Sequence, residues 1–71
     1  MDHKQNIQEH LNKATIMVVL GEIALNRAKT ENDYISIKIM EFKMKQLHDE
    51  VYFFENLLKE INVESQNLNI N

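Results

Sequence analysis

The chain has no cysteine, no proline and no tryptophan, and only one glycine, Gly21, among its 71 residues. Without cysteine there is neither a disulfide nor a thiolate metal site, and the lack fits a reducing compartment. Without proline, and with glycine at a single mid-chain position, nothing in the composition breaks a helix sharply. An excess of one charge is also missing: eight basic and eleven acidic residues are interspersed and give a net charge of -3. No overall positive field therefore draws the chain toward nucleic acid or anionic lipid. The most apolar run, Ile16 to Leu25, is ten residues long and contains Glu22, whereas a bilayer span needs ~20 mostly apolar residues. That run lies inside the chain without a small-residue cleavage site, so no secretory signal is read and a cytoplasmic location is the expectation.

Hydrophobic residues at heptad spacing dominate what remains. Ile37, Met40, Met44, Leu47, Val51, Phe54, Leu58 and Ile61 recur at alternating steps of three and four, the seam of a coiled-coil helix. Upstream, Ile7, Leu11, Ala14, Val18, Gly21, Leu25 and Ala28 follow the same rhythm, and Ala14, Gly21 and Ala28 offer small side chains where the downstream seam offers bulk. The fold class predicted is all-α, an antiparallel two-helix hairpin that dimerises into a four-helix bundle. Helix 1 is expected over about 2–29, a turn over about 30–32 and helix 2 over about 33–62, with 64–71 as a flexible polar tail. Arg27 and Lys29 suit the negative end of the helix 1 dipole. Either Thr30 with Asp33, as a capping box, or Asn32 would open helix 2. Antiparallel pairing about this turn places Gly21 near Met40 or Met44, and Ile7 near Phe54 or Leu58. At Gly21 the loss of roughly 1 kcal/mol of helix propensity points to a packing role.

Apolar residues extend well beyond the seam. Ile16, Met17, Leu20, Ile23 and Ala24 form a second stripe on helix 1 and are the expected self-association interface. Ile35, Ile39 and Phe42, continued by Phe53 and Leu57 after the polar interruption of Gln46 and Asp49, are the candidate partner surface on helix 2. One partner helix cannot cover both stripes of helix 1, and a contiguous patch of that kind is unusual on a soluble monomer. A chain this short also gains little from one seam: burying a large apolar side chain contributes ~1.5 to 3 kcal/mol, while ordering each residue costs ~1.5 kcal/mol. The partner expected is thus a second copy or another helical protein, with nucleic acid, membrane and small-molecule substrate disfavoured.

Catalytic chemistry has little support in the sequence. No Glu-x-x-His pair appears at the spacing of bundle metal sites, no glycine-rich loop exists to hold phosphate, and no cofactor is expected. His10 is placed near Tyr52 to Glu55, and His48, beside Asp49 and Glu50, reads as a solvent-facing residue. Lys38, Lys43 and Lys45 cluster near Phe42 but at different azimuths, with Glu41 among them. The layering of small against large residues resembles the architecture of the plasmid Rop-type RNA-binding dimers. The two-helix outline resembles the small co-chaperones of type III secretion needle subunits. Both likenesses are of layout and supply the alternatives to a non-enzymatic interaction module or small regulator: an RNA-binding hairpin dimer, or a co-chaperone paired with a helical partner.

Overall fold

A computed structural model describes the backbone of residues 2–70 and the side chains of residues 2–63. Two helices, α1 (His3–Thr30) and α2 (Tyr34–Ile70), pack against each other in a hairpin about 59 Å long and 17 Å by 14 Å across. Asp2 starts α1 as its N-cap: the backbone is extended there and Oδ1 accepts the Lys4 N–H at 3.0 Å. This satisfies one of the amide groups that a helix start leaves without a partner.

The turn resolves the choice among three capping residues. Asn32 has φ 56°, the left-handed conformation that ends many helices and that asparagine tolerates better than most residues. Around it the Asp33 amide donates to Ala28 O at 3.0 Å and the Asn32 amide to Lys29 O at 3.2 Å. Those two bonds make a Schellman motif with asparagine in the position usually held by glycine. Asp33 then caps α2, accepting the Ser36 amide at Oδ1 (3.2 Å) and the Ser36 hydroxyl at Oδ2 (2.7 Å). The expected caps, Thr30 and Asn32, are otherwise engaged: the Thr30 hydroxyl bonds back to Asn26 O at 3.0 Å within α1. Since the residue that closes α1 adjoins the one that opens α2, only Glu31, Asn32 and Asp33 separate the helices. Hydrogen bonds from Ser36 hold the Asp33 carboxyl below the usual aspartate value of 3.8.

Every seam residue of both helices is buried or half-buried. Ile7, Ala14, Gly21 and Ala28 form the buried row of α1, and Met44 is the buried hydrophobic residue of α2. Small residues at seven-residue intervals let the helix backbones approach, and at Gly21 there is no room for a side chain. A Cβ built there would collide with Sδ of Met44 and lie 3.8 Å from Cδ1 of Leu47. Gly21 is thus level with Met44, within the expected register, and its missing side chain is the slot that Met44 occupies. Past Asn62 the backbone of α2 stays helical to Ile70, because neither proline nor glycine follows to stop it. The flexible tail expected at 64–71 falls on side chains outside the described residues.

Candidate interaction face

Residues seven apart in a coiled-coil pair share one side of the helix, so the hairpin can be divided by its heptads. Beside the seam lies a groove of about 470 Å³ lined by His10, Lys13 and Met17 of α1 and by Asp49, Glu50, Phe53 and Phe54 of α2. Nearer the turn a smaller one, about 210 Å³, is lined by Ala24, Arg27 and Glu31 together with Ser36 and Met40. Lys13 and Arg27, His10 and Ala24, and Ser36 and Glu50 each lie two heptads apart, so both grooves open on the same side of the hairpin.

Leu20 lies midway between Lys13 and Arg27 in the same heptad row and faces this side too. Ile39, Gln46 and Phe53 form the corresponding row of α2. Of the stripe expected for self-association, Met17, Leu20 and Ala24 therefore share one apolar side with Ile39, Phe53 and Leu57 of α2. Ile16 and Ile23, like Ile35 and Phe42 on α2, fall midway between seam positions and point away from the other helix at the outer edge of that side. The hairpin leaves these residues open: Ile16 is 58% exposed, Ile23 59%, and Phe42 65%. Leu20, Met17, Ile35, Ile39 and Phe53 are exposed as well, as is Ala24, while Leu57 is half-buried.

The other side is polar and satisfies itself locally. There Gln8 Nε2 donates to Asn12 Oδ1 at 3.0 Å, the Thr15 hydroxyl bonds to Leu11 O at 2.8 Å, and Lys38 pairs with Glu41 at 3.5 Å. Lys38 also sits 5.6 Å from the ring centroid of Tyr34. Val19, Tyr34 and Tyr52 are large exposed apolar or aromatic side chains on this side. Exposed pairs of this kind contribute little stability, but they show where the surface is already matched to water.

Of the chemistry-bearing residues, His10, Lys13, Asp49 and Glu50 share the larger groove. No group of three or more His, Cys, Asp or Glu side chains is placed to hold a metal among the described residues. His10, expected near residues 52–55, stacks on Phe54 with ring centroids 5.5 Å apart and planes 9° apart, and Phe53 meets Phe54 edge to face at 5.2 Å. This aromatic cluster closes the seam toward its open end, and a reading of single helices had no means of finding the stack. Ser36 is committed to the Asp33 cap, and His48 is exposed. Among the described residues no helix is long and apolar enough to cross a membrane. What the arrangement offers chemically is apolar area, a rim of mixed charge and a groove between two rods. No family model matches the chain, and no curated protein or solved structure matches it either.

Proposed function

We propose that this protein is a non-enzymatic interaction module whose working form is a homodimer, two hairpins closing their apolar sides on each other as a four-helix bundle. The observation that carries the reading is one-sidedness. The seam is covered by the hairpin itself, yet a second apolar surface of similar length, centred on Leu20, is left in water by the same fold. Covering it contributes the hydrophobic stabilisation that one seam in so short a chain lacks, and two-fold association is the commonest way for a chain to cover its own patch. A small regulator built this way works through surface rather than through a reaction.

Light scattering on the purified chain at micromolar concentration tests the proposal. A mass of twice the 8.4 kDa chain is expected, and a folded, stable monomer overturns it. Retention on RNA or heparin that falls steeply with salt would instead favour the nucleic-acid alternative. Lys38, engaged with Glu41 and Tyr34, does not lead to that expectation.

A further inference from the structure

The levels at which the two outer stripes lie along the hairpin select one of the two ways in which a pair of hairpins can be stacked by a two-fold axis. Gly21 packs against Met44 and Leu47, so Leu20 is level with Gln46. The apolar centre of α1 therefore sits beside the polar middle of α2, which carries Lys43, Gln46 and Glu50. A two-fold axis running along the hairpin would lay α1 of one copy over α2 of the other at equal height and bury Leu20 against that polar middle. An axis running across the hairpin, through the level of Leu20 and Gln46, lays α1 on α1 and α2 on α2, like against like.

We infer that the protein self-associates in this second way, as antiparallel hairpins with turns at opposite ends, and that Lys43 of each copy pairs with Glu50 of the other. The inference rests on the homodimer reading above and adds its geometry. The sequence is self-complementary about this axis. In α1, Met17 meets Ala24 and Leu20 meets its own copy, with Ile16 and Ile23 flanking the contact at its outer edge. In α2, Ile39 and Phe53 lie seven residues to either side of Gln46 and meet each other, with apolar contact flanking the charged centre. Lys43 and Glu50 are also seven apart in one row, too far along one helix to be neighbours, and the two-fold operation brings each to the other's opposite. In Leu20's own row Lys13 meets Arg27 at each end of the contact, a like-charge approach that opposes the pairing and has to be offset locally. Each of these cations shares its groove with carboxylates of its own chain, Asp49 and Glu50 for Lys13 and Glu31 and Asp33 for Arg27.

Single cysteines test the register cleanly, because the chain has none of its own. Leu20→Cys is expected to give a disulfide-linked dimer under mild oxidation at concentrations where Asn12→Cys, on the polar side, does not. Lys43→Glu is expected to weaken the dimer about tenfold, and adding Glu50→Lys to restore it to within about threefold, since the reciprocal pairs are re-formed with signs exchanged. A dimer in solution that neither cross-links through position 20 nor recovers on charge exchange overturns the antiparallel register and leaves the homodimer reading standing. A monomer overturns both.

Discussion

The two sides of the hairpin are made from the same two helices and differ in how their residues are satisfied. On the polar side several hydrogen-bonding groups find a neighbour one turn away, as Gln8 does with Asn12 and Lys38 with Glu41. On the apolar side Leu20, Ile23 and Phe53 stay more than half exposed, even though Phe53 touches Phe54. Local pairs of the first kind need only a single helix, whereas hydrophobic burial needs an opposing surface. The contrast teaches that the hairpin satisfies polar residues locally on one side and leaves large apolar side chains in water on the other, which is what the proposed homodimer draws on.

The largest effect is expected from placing charge on the apolar side. Leu20→Glu combined with Met17→Glu is expected to weaken self-association by at least about 100-fold, because each copy buries two carboxylates without partners. Asn12→Glu combined with Asn26→Glu, on the polar side, changes it by less than about threefold. Analytical ultracentrifugation reads both, and circular dichroism checks that helicity is kept. Equal effects from the two pairs would erase the distinction between the sides.

The seam comes next. Gly21→Leu fills the slot taken by Met44 and is expected to destabilise the fold by ~1 to 3 kcal/mol through overpacking, in spite of leucine's better helix propensity. At the turn, Asn32→Val forces a β-branched residue into the left-handed conformation and costs ~1 to 2 kcal/mol, whereas Asn32→Gly is neutral or slightly stabilising. Denaturant unfolding measures each. A neutral Asn32→Val would show that the chain ends α1 by another route.

The smallest effect is that of acid on the α2 cap. Asp33 has a lowered pKa in the folded state, so its contribution is fully present above the unfolded value of 3.8 and is lost as pH falls through the lower folded value. Asp33→Asn keeps a capping side chain but no titrating group. Comparing the two proteins' melting temperatures between about pH 6 and about pH 3 should show a smaller acid loss in the variant. Identical slopes would remove Asp33 from the acid response.

Much of this fold is legible in the sequence, because a seam that repeats every 3.5 residues states both the helix and the side that packs. The row of Ala14, Gly21 and Ala28 even foretells where the backbones approach. The turn is less legible for a physical reason. Thr30, Asn32 and Asp33 are all competent caps, and the outcome depends on which residue takes the left-handed conformation. Once Asn32 does so, Asp33 is the first residue free to cap α2. Capping residues compete locally, and only the backbone decides among them.

The candidate face divides in the same way. Its members are legible one helix at a time, since each stripe stands outside its seam. Their placement on a common side is not, because that requires the two heptads to be set against each other. Gln46 and Asp49 read as a break in the α2 stripe when taken alone. Gln46 is level with Leu20, and in the proposed antiparallel dimer the polar middle of α2 becomes the centre of the contact, so that the two stripes would serve one partner.

The most direct test of the proposed homodimer is the dependence of its thermal midpoint on protein concentration. Association that stabilises the folded state shifts the midpoint by mass action. A dimer unfolding to separate chains predicts a midpoint that rises steadily over about a 100-fold increase in concentration. A cooperative transition whose midpoint does not move over that range would contradict the claim that a second copy covers the apolar side.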